Sequence, residues 1–277
     1  MAFVEAKLMQ EPDVAMIFYE FCSQTDPGLL RDNNEDALTF DDETRLAVLA
    51  DGMGGYNAGE IAANMATTFI KTELMRWLSE VGKRAGAKEV KRAMEICVDN
   101  ANRSIFNSAN TNPQYAGMGT TLVFAIFQDS RVIVGHVGDS RCYLFRAGEL
   151  YQITRDHSLL QEQLDAGLIT PEEAAVSLNK NLVTRALGVE DTVLLEAHEH
   201  LLEVDDVYLL CSDGLTDMVA DTQIAKILAV DEPLESRAKR LVDTANANGG
   251  RDNISVLLVH AHASSKKRGF MSRLLGK

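Results

Sequence analysis

The chain has 277 residues, 46% of them hydrophobic and 25% charged, a balance that suits one globular domain with a sizeable core. Its formal net charge of −14 excludes a nucleic-acid backbone as the main partner, since that task needs clustered Lys and Arg. No apolar run is long enough to span a membrane, no signal-peptide pattern opens the chain, and its four cysteines show no CxxC or disulfide pattern, so a cytoplasmic setting is expected.

Residues 1–17, with Pro12 and no firm period, read as an N-terminal arm or a short edge strand. Ile17 to Cys22 reads as a strand ending in the turn signal Ser23-Gln24-Thr25-Asp26-Pro27-Gly28. Ala37–Phe40 and Arg45–Ala50 read as a hairpin around the solvated turn Asp41-Asp42-Glu43-Thr44. Its second strand belongs to Leu46-Ala47-Val48-Leu49-Ala50-Asp51-Gly52-Met53-Gly54-Gly55, a short apolar run that ends on a carboxylate and then on glycines that permit a sharp turn and a close approach. Helical periods cover Ala58–Val81 and Ala87–Ala109, joined through 82–86 and therefore antiparallel, with Met65, Trp77 and Met94 as core.

After Gly117-Met118-Gly119 the period becomes that of strands: Thr120–Phe127, Arg131–Val137, Arg141–Phe145 and Glu149–Ile153. Connections this short predict antiparallel pairing of each with the next. Residues 155–187 read as an excursion over the surface, with helices over Ser158–Ala166 and from Pro171, the latter opened by a capping box at Thr170. Val207–Cys211 is a buried strand running into Ser212-Asp213-Gly214. Helices over Asp221–Ala229 and Pro233–Asn248 follow, then a last strand, Asn253–His260. Strands grouped with strands and helices with helices argue for packed layers of α+β class.

Asp51 is echoed by Asp139 after Arg131–Val137, by Asp213 after Val207–Cys211 and by Asp252 before the last strand. Carboxylates brought to about 4 Å in a partly buried site repel by roughly 4 kcal/mol per pair at an effective dielectric near 20. Shared protons or hard divalent cations would neutralise them, and an Asp-rich set without His or Cys favours the cations. Two metals roughly 3.5–4 Å apart activate water and clamp a phosphoryl group. Arg31, beside Asn34-Glu35-Asp36, offers a forked donor for the remaining phosphate oxygens, with pairing to Asp32 or Glu35 as the purely structural alternative.

Ser23 to Gly28 with Arg31 and Asn34-Glu35-Asp36, then Asp51 to Gly55, Gly117-Met118-Gly119-Thr120-Thr121, Gly138-Asp139-Ser140-Arg141, Ser212-Asp213-Gly214-Leu215 and Arg251-Asp252-Asn253 resemble, in order, the motifs of the metal-dependent PP2C-type (PPM) protein serine/threonine phosphatases, bacterial branch. The resemblance covers about Tyr19 to His260. It implies a four-layer α-β-β-α sandwich, two antiparallel sheets flanked by antiparallel helix pairs, over residues 18–263, with a centre of two Mn²⁺ or Mg²⁺ ions. By position, Asp51 would bridge both ions, the Gly52 carbonyl would bind one, and Asp213 and Asp252 would hold the other. Asp139 with Asp213 would match a third, weaker metal site. Arg31 would take the substrate phosphate, and Asp36 would act on metal-bound water. Residues 155–187 would be the family's variable flap. The implied reaction is hydrolysis of phosphoserine or phosphothreonine by a metal-bridging hydroxide in phosphorylated proteins, among them a cognate bacterial Ser/Thr kinase and its substrates.

Met53 stands where animal and plant members often carry a His proposed as general acid, so a metal-bound water is expected to supply that proton. Two rivals stay open: a phosphoprotein-binding module without turnover, and the same chemistry on phosphotyrosine or a small phosphate ester. His136 is expected to be a hydrogen-bonded core residue, and His157 a more open one at the start of the flap. Thr120-Thr121 fits ordinary strand propensity as well as support of a ligand. The basic tail 264–277, which mixes Lys and Arg with Phe270, Met271, Leu274 and Leu275, suits a mobile segment, with docking to a membrane surface or partner as the other reading. The chain is expected to be a monomer.

Overall fold

A computed structural model describes residues 17–55, 58–81, 85–175 and 182–263. The expected arm up to residue 16, part of the surface excursion and the basic tail lie outside the described residues. Two antiparallel sheets stack face to face. The first runs in the order β1 (Ile17–Asp26), β11 (Ile254–Ala263), β10 (Val207–Cys211), β7 (Arg141–Arg146) and β8 (Glu149–Gln152). The second runs β2 (Asp36–Asp41), β3 (Leu46–Met53), β5 (Leu122–Phe127), β6 (Arg131–Val137) and β9 (Glu196–Leu201), with the two-residue β4 (Gly119–Thr120) on the end of β3. Helices α1 (Ala58–Val81) and α2 (Ala87–Thr111) cover the second sheet, and α6 (Asp221–Leu228) and α7 (Leu234–Ala247) cover the first. Three shorter helices, α3 (Leu159–Asp165), α4 (Pro171–Ala175) and α5 (Asp213–Thr216), lie in the connections. This is the four-layer sandwich implied by the resemblance.

The burial pattern explains the layers. Along β3, Leu46, Val48 and Ala50 face the helices while Ala47 and Leu49 face the other sheet, so a strand covered on both sides reads as an unbroken apolar run. Between the sheets Phe127 packs its ring 5.3 Å from those of Tyr19 and Tyr208 and 6.0 Å from Phe21. Phe127→Ala is expected to cost about 3–5 kcal/mol, seen as a lower urea midpoint at unchanged slope, because the rigid sheets cannot close over the cavity.

Three expectations need correction. The strand from Ile17 does not turn at Ser23 but continues to Asp26, held by its pairing with β11 and by the Thr25–Ser255 hydroxyl contact at 2.7 Å. The turn moves on to Gly28-Leu29-Leu30. Strands β6 and β7 do not pair: Gly138-Asp139-Ser140 carries the chain from the second sheet to the first. Gly138 makes the crossing with φ of +106°, and a Cβ there would come within 2.7 Å of the Thr121 side chain. Finally, β9 is absent from the expected elements, because Glu196-Ala197-His198-Glu199-His200-Leu201 has no apolar run. It is an edge strand paired on one side to β6, where polar residues are normal.

Candidate functional site

One end of the sandwich gathers the acids. The register of β2 on β3 puts Asp36 directly opposite Asp51, Asp213 opens α5 just beyond β10, Asp252 stands just before β11, and the sheet-to-sheet crossing delivers Asp139. A pocket of about 280 Å³ is lined by Arg31, Asp51, Gly52, Met53, Thr121, Asp139, Val183, Asp213 and Asp252, among others. Asp36 lies behind its wall, with Oδ2 accepting from Ser212 Oγ at 2.8 Å. The structure therefore brings together every residue predicted for the site. A second hollow, of about 260 Å³, shares Asp139 and Asp213 and is walled on its far side by Ser158, Leu160, Leu164 and Ala174 of the 155–187 excursion.

Asp51 is fixed through its backbone. The Asp51 N–H donates to Thr121 Oγ1 at 2.9 Å, and the Asp51 carbonyl accepts from Thr121 N at 2.9 Å and Thr120 Oγ1 at 2.8 Å. Thr121 Oγ1 also meets Ser140 Oγ at 2.7 Å, which ties β3 to the Asp139 crossing. The threonine pair thus supports the acids. At Gly52 the constraint is space: a Cβ would lie 2.1 Å from the Gly59 carbonyl oxygen in the first turn of α1, so only glycine lets the helix seat against this loop.

Arg31 stands 54% exposed at the pocket mouth, and its Nη2 donates to Asp252 Oδ2 at 2.7 Å rather than pairing with Asp32 or Glu35. Its loop is knotted by Asn253, which the sequence reading left without a role. The Asn253 side chain accepts from Glu35 N at 2.8 Å and donates to the carbonyls of Pro27 at 3.0 Å and Asn33 at 2.8 Å. The only local signal for this was adjacency to Asp252; the three partners lie more than two hundred residues away in sequence.

Crowding of like charge sets the electrostatics. Burial, and then the charges of Asp36, Asp213, Asp139 and Asp252, push the Asp51 carboxyl well above the usual range. Asp213 is raised in the same way by burial and by Asp139, Asp217, Asp252 and Asp36. Burial is also the main cause that lifts Asp36 and Asp139 to about 6. All but Asp139 are half-buried by residue exposure, so the pocket mouth gives solvent and ions access to a cluster that the protein itself leaves overcharged.

A second cluster sits beside the crossing. His136 and His157, 1% and 5% exposed, stack with ring centroids 4.6 Å apart and 18° between planes, so His157 is not the open residue expected. Burial lowers the pKa of both. Together with Glu196 they bring potential ligand atoms within 4.8 Å of one another. Stacked rings aim their in-plane lone pairs along nearly parallel planes, however, and no single ion meets both in tetrahedral fashion.

A family model for Protein phosphatase 2C matches residues 23–254. The serine/threonine phosphatase stp of Listeria monocytogenes is 38% identical over 252 residues, covering 88% of this chain and 97% of that protein. Among solved structures, the serine/threonine phosphatase of S. agalactiae superposes with a TM-score of 0.81 at 36% identity, over 88% of this chain and 99% of that one. The catalytic domain of the serine/threonine phosphatase PstP, solved in complex with two manganese ions, superposes with a TM-score of 0.76 at 34% identity, over 89% and 99%.

Proposed function

The chain belongs to the protein phosphatase 2C family of protein serine/threonine phosphatases, and from that premise we propose that it hydrolyses phosphoserine and phosphothreonine with divalent cations, Mn²⁺ or Mg²⁺, held in the pocket lined by Asp51, Asp139, Asp213 and Asp252. The observation that carries this reading is the overcharged cluster with an open mouth. The donor set fits such ions: it is all oxygen, it is raised in pKa by burial and then by its own repulsion, and Asp36 Oδ1 is buried with no hydrogen-bond partner among the described residues. Asp51, the Gly52 carbonyl, Asp213 and Asp252 would hold two ions, and Asp139 with Asp213 a third. Bound there, they would neutralise the aspartates, lower the pKa of water and draw charge from the phosphoryl oxygens.

The protein's own groups do the rest. Arg31 projects its guanidinium at the mouth, where the fork suits two phosphate oxygens and its tie to Asp252 keeps it aimed inward. Asp36, whose Oδ2 accepts from Ser212 Oγ, stands behind the pocket wall directly opposite Asp51, from where it would act on bound water through that carboxylate. Met53 lines the pocket without a proton to give, so the leaving oxygen takes its proton from solvent held there. Val183 and the α3–α4 excursion border the entrance, which suits a flap that selects the substrate.

We assign the phosphatase domain to residues 18–263. Because a phosphorylated Ser or Thr is made by phosphoryl transfer to a hydroxyl, the counterpart is a Ser/Thr kinase, and four free cysteines suit a shared cytoplasmic setting. Purified protein with Mn²⁺ is expected to cleave a phosphothreonine peptide faster than its phosphotyrosine counterpart, and EDTA to stop both reactions. Arg31→Ala should raise KM for the peptide about tenfold or more, the worth of a charge-assisted hydrogen bond. Turnover that survives EDTA, or an unchanged KM in the variant, contradicts the reading.

A further inference from the structure

Asp139 rides on a three-residue crossing that no sheet pairing holds, so something else must set its place. On one side Ser140 is tied to Thr121. On the other side the tie is His157, through a reciprocal pair of bonds. The His157 N–H donates to the Gly138 carbonyl at 3.0 Å, and the Gly138 N–H donates to His157 Nδ1 at 3.1 Å. A ring nitrogen that accepts from an amide carries no proton, so the proton of the neutral imidazole sits on Nε2. Nε2 stands 3.2 Å from Glu196 Oε2 on β9 and donates to it.

The same residue binds both ends of the flap. Its carbonyl accepts from Thr184 N at 2.8 Å, where the excursion returns, and its neighbour Ser158 bridges to Val183, which lines the pocket. His136 stacks on the ring and is itself pinned by a 2.7 Å contact from Nε2 to the Arg155 carbonyl, so the imidazole cannot swing away on that side.

We propose that His157 is a positioning residue: through the Gly138 amide it sets the Asp139 carboxylate at the pocket, and it locks that crossing to both ends of the flap. Its consequence for metal rests on the reading of Asp139 as a ligand; the bond network does not. The test separates the two and uses the full chain with His157→Asn, His157→Gln and Asp139→Asn. Asn places its side-chain oxygen where Nδ1 stands and still accepts from Gly138, whereas Gln puts its polar atoms where Nε2 stands.

In metal-free protein, amide exchange at Gly138 is expected to rise about tenfold in His157→Gln and to stay near wild type in His157→Asn, since the Gly138 N–H bond to the side chain is lost in the first and kept in the second. In Mn²⁺ titrations His157→Gln should weaken, also by about tenfold, the same step that Asp139→Asn removes, in line with the loss of a group that orients a ligand. Equal exchange in wild type and His157→Gln overturns the proposal, as does an equal rise in both His157 variants or loss of cooperative unfolding in His157→Asn. If exchange behaves as expected while Asp139→Asn leaves the Mn²⁺ isotherm untouched, the lock is supported and the ligand reading of Asp139 is what fails.

Discussion

Asp51→Asn is expected to cut phosphatase turnover by about a thousandfold or more while making the metal-free protein more stable, because the several kcal/mol of charge stabilisation lost from the loaded site is charge repulsion in the empty one. The backbone of Asp51 is held by Thr120 and Thr121 whatever its side chain does, so Asn should leave β3 and its register in place. What changes is one charge at the centre of the cluster, where Asp36, Asp213, Asp139 and Asp252 all act against it. Removing one of several like charges about 4 Å apart relieves repulsion of roughly 4 kcal/mol per pair at an effective dielectric near 20, part of which the acids' raised pKa already offsets. At about 2–4 °C per kcal/mol for a chain of this size, the shift is measurable in a thermal melt with EDTA at pH 8, where the cluster is driven toward its charged form. Retained turnover would remove Asp51 from the reaction. A metal-free melting temperature no higher than wild type would show that the repulsion is already relieved by shared protons.

The legible part of this protein was the local part. Asp51, Asp213 and Asp252 could be read because each sits at the end of a short apolar run, and a strand buried on both faces leaves that run uninterrupted in sequence. Arg31 came from the need for a forked phosphate donor beside the acids, and the role of Asp36 from the ordered motifs alone. The crossing at Gly138-Asp139-Ser140 was misread because a three-residue link between strands looks the same whether the strands pair or part. What separates β6 from β7 is their other neighbours, β5 and β9 on one side and β10 and β8 on the other. Asn253 and His157 escaped for a related reason: their hydrogen-bond partners lie in distant segments, and neither residue carries a local pattern that announces them.

Without metal, the melting temperature is expected to fall as pH rises from about 6.5 to 8.5, and saturating Mn²⁺ is expected to abolish the fall. The sign follows from the acids. A carboxyl whose folded pKa is raised holds its proton in the native state after the unfolded chain has released it, so its contribution is complete below the unfolded value near 4 and is lost as pH climbs through the folded value. For Asp36 and Asp139 that loss centres on about 6. Asp51 and Asp213, held well above the usual carboxylate range by burial and by the neighbouring acids, add to the loss in the same direction. His136 and His157 work the other way: lowered in the folded state, they cost stability as pH falls below the ordinary histidine range, and they are silent above it. Above the histidine range the acids dominate the slope; the thiols of Cys97, Cys142 and Cys211, raised by burial, add to it only toward the alkaline end, and the part of the fall that Mn²⁺ removes belongs to the acids. Cations bind the deprotonated cluster, and Mn²⁺ at a hundred times its dissociation constant adds about 2.7 kcal/mol. That corresponds to a rise of roughly 5–10 °C at this chain length, largest at the alkaline end. Asp51→Asn should flatten the metal-free slope by removing one raised acid's share. A metal-free profile that is level or rising across this window would mean that the pocket is not overcharged, and the electrostatic case for its ions would fall with it.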